Sequence, residues 1–191
     1  MLRDLIYLFF PKYCAACDTP LYKNESVICT TCRHVLPLGN FHNVNAIKIE
    51  KVFYGRAKIE NATSLLIFQK DNLVQKLIHN LKYRGKEEIG VELGKWLGQE
   101  LSQISEYKTI DVIVPVPLHK KRLRERGYNQ VEKFGIEIAK KLDAVYIDAV
   151  LKKKSYNKKQ SKRDRSNRWV NTVETFAVQN ETLLCNKHII L

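Results

Sequence analysis

The sequence contains no apolar run that approaches the roughly 20 residues a membrane-spanning helix needs. It also has little glycine and proline, 8 and 5 of 191 residues, which excludes collagen-like repeats and long low-complexity tracts. The apolar N-terminal stretch 1–11 is short, contains Asp4 and has no small-residue cleavage site, so we interpret it as a docking helix rather than a signal peptide. These absences predict a globular protein without a membrane span, located in the cytoplasm, where cysteines stay reduced.

Positive charge is concentrated in two short segments. Residues 119–126 contain five basic residues and one acidic residue, and residues 152–168 contain nine and one. The rest of the chain has 19 basic and 18 acidic residues, so nearly all of the formal net charge of +13 lies in these segments. This pattern favours a localised site for phosphates. The alternative interpretation is that both segments are solvated charged loops.

Four of the five cysteines form two C-x-x-C pairs near the N-terminus. Each pair can present two thiolates from one tight turn, and two such turns complete a tetrahedral S4 set that suits zinc. A disulfide interpretation is weak without a secretory signal, and a redox motif needs a single pair. Because the protein supplies all four ligands, the predicted zinc is structural. The predicted ligands are Cys14, Cys17, Cys29 and Cys32, in a small domain over residues 1–40. The fifth cysteine, Cys185, is expected to be a buried apolar residue.

The pattern over residues 41–191 predicts an α/β domain. A continuous β-branched run over 110–117 is typical of a strand buried on both faces of a parallel sheet. A basic loop, a helix and another strand follow it, which is the order of a βαβ unit. Helices are expected over 71–84, 93–104 and 131–142, with Asp71 as the first N-cap and Gly85 as its stop signal. Further strands are expected over 65–68, 145–147, 175–178 and 188–191.

One segment carries a specific resemblance. Residues 115–130, PVPLHKKRLRERGYNQ, resemble the P-V-P-L-H-x-x-R-x-x-x-R-G-[FY]-N-Q signature of the ComF/GntX family, phosphoribosyltransferase-like proteins linked to DNA uptake in competence. The double C-x-x-C knuckle after a Leu/Phe-Pro segment and the stretch 78–85, IHNLKYRG, are similar to the family's. So is the spacing of Gln160, Arg168, Asn171 and Phe176. The resemblance implies a type I phosphoribosyltransferase-like parallel sheet flanked by helices, with a zinc-ribbon-like appendage.

The sequence departs from the family pattern at two places. Asn157 stands where the family usually has threonine. The family strand that begins like residues 188–191 continues into V-D-D-V-x-T-T-G, the loop that binds the 5′-phosphate and ribose hydroxyls of phosphoribosyl pyrophosphate (PRPP) in type I enzymes. The chain stops before that loop. From the resemblance we therefore expect the 191-residue chain to be catalytically incomplete and to bind PRPP poorly.

The resemblance also implies roles for residues of the basic segments. PRPP binds with Mg²⁺, and cations beside the pyrophosphate stabilise the charge of the leaving group. The residues implied for pyrophosphate or phosphate binding are His119, Lys120, Lys121, Arg122 and Arg126, with Arg122 and Arg126 favoured for their bidentate guanidinium groups. Candidate ligand or lid residues are Asn129, Gln130, Gln160 and Arg168. The Asn129 and Gln130 amides would contact the ligand or the basic loop. The alternatives are a surface role for His119, helix capping by Asn129, and a solvated flap over 152–168, a segment that can also be read as a helix.

Two functions stay open from the sequence. One is a PRPP-dependent transferase, a glycosyltransferase of unknown acceptor. The other is a non-catalytic, zinc-bearing adaptor that binds single-stranded DNA and a competence helicase through the same basic surface. A degenerate fragment without function is the third interpretation.

Overall fold

The computed structural model describes residues 9–39, 51–55, 57–155 and 175–191. The chain divides into two compact units, Met1–Leu93 and Gly94–Leu191, and the two are described separately below. The predicted domain boundary between residues 40 and 41 falls outside the described residues and stays a prediction. Within the described ranges, no helix is both long enough and apolar enough to cross a membrane.

The first unit contains the cysteine knuckles and two further helical segments. Its helices are α1 (Thr30–Val35), α2 (Leu73–Tyr83) and the first part of α3 (Glu88–Leu101). The N-cap of α2 is Asn72, one residue after the predicted Asp71. The Asn72 side chain accepts a hydrogen bond from the Gln75 backbone N–H. Asp71 instead adopts a left-handed conformation, with φ 59°. Gly85, also left-handed at φ 67°, follows the end of α2 as predicted.

The predicted strand over 65–68 is wrong. The segment forms a single antiparallel bridge between Leu38 and Leu66, flanked by hydrogen bonds from Gly39 N–H to the Leu65 carbonyl and from Ile67 N–H to the Pro37 carbonyl. Pro37 has no N–H to return a hydrogen bond, so it cannot extend the ladder. Phe68 is exposed rather than buried.

A small parallel sheet forms the centre of the second unit, which confirms the predicted mixed α/β class. Strand β1 (Val112–Ile113) lies between β2 (Val145–Tyr146) and β5 (Ile189–Ile190) and pairs in parallel with both. Residues 112–115 are buried, as expected for a strand flanked on both sides. The regular strands are shorter than predicted.

The connection between β1 and β2 contains two helices, α4 (Lys120–Arg126) and α5 (Glu132–Leu142). The basic segment that the sequence suggested as a loop is therefore helical. The His119 ring accepts a hydrogen bond from the Lys121 N–H at its start, and left-handed Gly127 ends it. Helix α5 buries Ile138 and Leu142.

A two-stranded antiparallel sheet completes the described part of the second unit. It pairs β3 (Leu151–Lys153) with β4 (Phe176–Val178), so the predicted strand over 175–178 is confirmed. The helical interpretation of 152–168 is wrong at its start, because Lys152 and Lys153 hydrogen-bond in register with β4. Residues 156–168 lie outside the described residues. Short 3₁₀ helices cover Ser105–Tyr107 and Glu181–Leu184. The prediction that Cys185 is buried is wrong, because this residue is exposed just after the second of these helices.

Helices α3 and α5 approach each other closely because two glycines of α3 face α5. A Cβ atom at Gly94 would lie 2.5 Å from the Phe134 carbonyl oxygen, and one at Gly98 would lie 2.9 Å from the Lys141 Cβ. The first contact is to backbone, which cannot yield as a flexible side chain can. Glycine at these sites therefore allows the helices to pack at this distance.

We expect Gly94→Ala to destabilise the second unit by about 1–2 kcal/mol. The clash with the α5 backbone costs about 1–3 kcal/mol, which the better helix propensity of alanine offsets by up to about 1 kcal/mol. Denaturant unfolding measures the difference. Lys95→Ala, at an exposed position of α3, is the control and should change stability little. An equal or greater stability of Gly94→Ala would show that the helices do not pack this closely.

The Asp111 carboxylate ties β5 to the start of β1. It accepts hydrogen bonds from the His188 backbone N–H at 2.9 Å and from the Lys187 ammonium at 3.1 Å. These two interactions hold the pKa of Asp111 below its ordinary value. The same turn is supported by the His188 ring, whose Nδ1 lies 3.2 Å from the Thr109 carbonyl oxygen.

A lowered carboxyl pKa makes the folded state more stable above the ordinary aspartate pKa, and that contribution is lost as the pH falls below about 4. We expect Asp111→Asn to lower stability at pH 7 and to flatten the decline between about pH 4 and pH 2. Urea unfolding across this range is the measurement. Asp148→Asn, a change at an exposed aspartate of the same unit, should retain the parent's slope. An unchanged slope in Asp111→Asn would contradict the assignment.

Candidate metal centre and basic surface

The four cysteines of the two C-x-x-C pairs meet at one point in the first unit. Their sulfur atoms all lie within 4.8 Å of one another, and the Cys17 and Cys29 sulfurs are 3.7 Å apart. A tetrahedral zinc site with Zn–S bonds of about 2.3 Å has sulfur atoms about 3.8 Å apart. A disulfide would require about 2.05 Å, and all four thiols are free. The predicted set is thus brought together, and its spacing fits a metal such as zinc.

Backbone N–H groups surround the sulfur atoms. Cys14 Sγ accepts hydrogen bonds from the Ala16 N–H at 3.4 Å and from the Cys29 N–H at 3.3 Å. Cys29 Sγ accepts one from the Cys32 N–H at 3.4 Å, which also caps α1. Such contacts stabilise negative charge on sulfur and orient the ligands. The knuckles therefore supply the second shell of a thiolate site as well as its ligands.

The thiols differ in how easily they ionise. Burial raises the pKa of Cys29 and Cys32, because a thiolate loses its hydration there. Burial opposes ionisation of Cys17 as well, but hydrogen bonds from the Thr19 hydroxyl and backbone outweigh it and lower the pKa of Cys17 to about 6. A divalent cation at the centre would favour the thiolate form of all four groups.

Helix α2 packs on the first knuckle. The Asn80 side chain, which is 1% exposed, donates a hydrogen bond of 2.8 Å to the Ala15 carbonyl. One turn earlier, the Lys76 ammonium pairs with Asp18 at 2.6 Å across a partly exposed surface. Lys76, together with Arg84 and Lys86, lowers the pKa of Asp18. Asn80 was not singled out from the sequence, although a polar residue three positions after core Leu77 was the available signal.

The basic residues of α4 occupy different environments. Arg122 and Arg126, four positions apart on one face, are half-buried, whereas Lys120, Lys121 and Arg124 are exposed. The Arg126 guanidinium donates a hydrogen bond to the Gln130 side chain. His119 caps the helix through its ring, as described above. The His119 ring thus caps α4, a role that was not predicted for it, and the Arg126 guanidinium is held by Gln130, four positions further along the chain.

Arg122 and Lys153 belong to different basic segments, and their charges interact. Burial and the nearby Arg122 guanidinium lower the pKa of the Lys153 ammonium. The Lys153 Nζ also lies 5.2 Å from the centre of the Phe176 ring. Within the described residues, neither cation forms an ion pair with a carboxylate. Lys153 was not among the predicted site residues, because a contact between residues so far apart in sequence leaves no local pattern.

The amide side chains after α4 have internal partners. Asn129 donates a hydrogen bond of 3.1 Å to the Val116 carbonyl and accepts one of 3.4 Å from the Val131 N–H. These contacts connect the segment after β1 with the start of α5. Gln130 accepts the hydrogen bond from Arg126. The other two candidate ligand or lid residues, Gln160 and Arg168, lie outside the described residues.

Comparison with protein-family models, with curated proteins and with solved structures finds no match to this chain. Any inference about function therefore depends on the geometry of the four-cysteine cluster and of helix α4, and on the sequence motifs.

We expect the purified chain to hold one zinc ion per molecule at the four cysteines. Cys14→Ser should lose stoichiometric zinc, because an S4 site that lacks one thiolate binds the metal far more weakly. Elemental analysis gives the stoichiometry, and Co²⁺ substitution gives the thiolate charge-transfer absorption. Cys185→Ser is the matched control and should retain the metal. Gently purified parent protein without metal, or with a Cys14–Cys17 disulfide under reducing conditions, would contradict the assignment.

Proposed function

We propose that the chain is a ComF-type, phosphoribosyltransferase-like protein that binds the phosphates of PRPP on α4, with the four cysteines as a structural zinc site. The resemblance of residues 115–130 to the family signature supports this proposal. The mixed α/β fold with its parallel sheet is compatible with it. The link to competence and DNA uptake follows from the same resemblance.

The position of α4 supports a ligand site. In open α/β sheets, ligands bind beyond the carboxyl ends of the strands. Helix α4 follows the carboxyl end of β1, the central strand, after a short extended segment that ends at His119. Its cations are therefore on the side of the sheet where a substrate would be expected.

The match of residues 115–130 to the family signature is the observation that carries the proposal, and the electrostatic interaction between Arg122 and Lys153 supports it. Their like charges repel each other, and partial burial costs the Lys153 ammonium part of its hydration. A bound polyanion removes the repulsion and replaces the lost hydration with charge-assisted hydrogen bonds. Pyrophosphate has enough oxygen atoms to contact a guanidinium and an ammonium group together. The pair is thus a suitable anchor for the pyrophosphate end of PRPP.

The chemistry implied by the resemblance is phosphoribosyl transfer. When the bond between ribose C1 and pyrophosphate breaks, negative charge develops on the leaving group. Cations fixed beside that group stabilise the charge without reorganising, and Mg²⁺ bound to the pyrophosphate would add to the effect. The residues proposed for this role are Arg122 and Lys153, with Arg126 on the same face of α4 as Arg122.

We expect Arg122→Glu and Lys153→Met each to weaken pyrophosphate binding by about tenfold or more, because each removes a charged hydrogen-bond donor. Calorimetric titration of the full chain with pyrophosphate and Mg²⁺ measures the effect. The double variant Lys95→Glu/Lys108→Glu is a control that changes the net charge at exposed positions before β1. If Arg122→Glu binds pyrophosphate as the parent does, or if the control is equally weakened, the site is not on α4.

A second candidate function is supported by the exposed cations of α4. Lys120, Lys121 and Arg124 face solvent, which suits contact with a longer polyanion such as single-stranded DNA. In that case the protein would be a non-catalytic adaptor of the DNA-uptake machinery. Reversing the charge of these three residues should then weaken salt-dependent binding of an oligodeoxythymidine more than it weakens binding of pyrophosphate.

A further inference from the structure

The buried side chain of Asn80 lies against the peptide that shapes the metal knuckle. It is 1% exposed and is one of two buried polar residues within the described ranges, the other being Thr175. Its amide donates a hydrogen bond of 2.8 Å to the carbonyl of Ala15, which is itself 2% exposed. A buried carbonyl of this kind needs a donor, because no water replaces the contact.

The Ala15 carbonyl belongs to the same planar peptide unit as the Ala16 N–H. That N–H donates a hydrogen bond to Cys14 Sγ at 3.4 Å. On the other side, the Ala15 N–H is held by the Val27 carbonyl at 2.8 Å. The Ala15–Ala16 peptide is therefore held by one side chain of α2, and the preceding Cys14–Ala15 peptide is held by the Val27 carbonyl, two residues before Cys29.

We propose that Asn80 is a positioning residue for the metal centre, which aims the Ala16 N–H at Cys14 Sγ and thereby couples metal binding to helix α2. Hydrogen bonds from the second shell orient ligands, and their loss typically reduces metal affinity 10- to 100-fold. Thiolate sites depend on such N–H groups, since they stabilise the negative charge on sulfur. The proposal is independent of the proposed phosphate site in the second unit.

The neighbouring contact on the same helix offers an internal comparison. Lys76 also reaches the first knuckle, through the ion pair with Asp18, but both side chains are about half exposed. Exposed ion pairs contribute little, because water screens them. Lys76 and Asn80 are one helical turn apart and contact the same loop, so a difference between their variants measures the effect of the buried hydrogen bond.

The test compares Asn80→Leu, Asn80→Gln, Lys76→Met and Leu77→Ala in the full chain. Zinc affinity is measured by competition with a chromogenic chelator, and the Co²⁺-substituted proteins give the thiolate absorption. Asn80→Leu keeps the branched side-chain shape, with larger methyl groups, but has no donor, and we expect it to bind zinc 10- to 100-fold more weakly, with altered Co²⁺ bands. Asn80→Gln retains an amide donor and should lie closer to the parent. Lys76→Met should change the affinity less than threefold.

Leu77→Ala controls for general weakening of α2, since Leu77 is fully buried in the same helix but its side chain has no polar group that could hydrogen-bond to the knuckle. Its zinc affinity should stay near the parent's at a temperature where the variant is folded. Zinc affinity equal to the parent's in Asn80→Leu would overturn the proposal, as would an equal loss in Leu77→Ala or Lys76→Met.

A measurement on the parent protein covers the case in which the Asn80 variants do not fold. Hydrogen exchange is compared before and after zinc is removed with a chelator. Coupling through Asn80 predicts that amides of α2 around Asn80 lose protection together with the Ala15 and Ala16 amides. If α2 exchanges at the same rate with and without the metal, the coupling does not exist. Failure of pyrophosphate to bind would leave this result unaffected.

Discussion

The first unit depends on four sulfur atoms lying within the reach of one tetrahedral ion. Few backbone conformations satisfy this requirement, because each C-x-x-C pair must turn tightly and the two turns must face each other. In the structure, the N–H groups of Ala16, Cys29 and Cys32 all point at sulfur. The same backbone groups that would otherwise be unsatisfied in a short loop thus stabilise thiolates. A small apolar core then suffices around the knuckles, since metal binding can add folding free energy to it.

The second unit has a different constraint, the burial of β1 on both sides. Its N–H and carbonyl groups pair with β2 and β5, so the strand has no free edge. Parallel neighbours require crossover connections, and the one between β1 and β2 contains α4 and α5. The arginines proposed for phosphate binding, Arg122 and Arg126, belong to this connection. Their position follows from the topology, because the chain must leave β1 at its carboxyl end before it can return.

The parts of the structure that could be predicted from sequence have local causes. The S4 set followed from the spacing of the cysteines, and the central strand followed from an uninterrupted β-branched run. The prediction of a strand over 65–68 is wrong because the segment that pairs with it contains Pro37. The sequence alone does not say which segments pair with each other. The sequence predicts Asp71 as the N-cap of α2, but the cap is Asn72. Both residue types can cap a helix, and only the backbone conformation decides between them.

The roles of Asn80 and Lys153 could not be predicted for a related reason. Each acts on a residue distant in the chain: Asn80 on Ala15, and Lys153 on Arg122. An isolated asparagine on an apolar helix face shows that a buried partner exists, but not which carbonyl it is. A lysine in a basic stretch looks the same whether it faces solvent or another cation. Tertiary pairing carries this information, and no periodicity records it.

Helix α4 carries cations of the proposed phosphate site, and its caps and side-chain contacts hold it in place before a ligand binds. Five of its seven residues are basic, and like charges four positions apart, such as Arg122 and Arg126, destabilise a helix. An isolated helix of this length would not persist in water. The helix is stabilised by the His119 cap, by left-handed Gly127 and by the hydrogen bond from Arg126 to Gln130. The basic residues of its last turn also interact favourably with the negative, C-terminal end of the helix dipole. The remaining repulsion is the part that an anion can relieve. The features that make α4 a marginal helix would therefore also preorganise the proposed phosphate site.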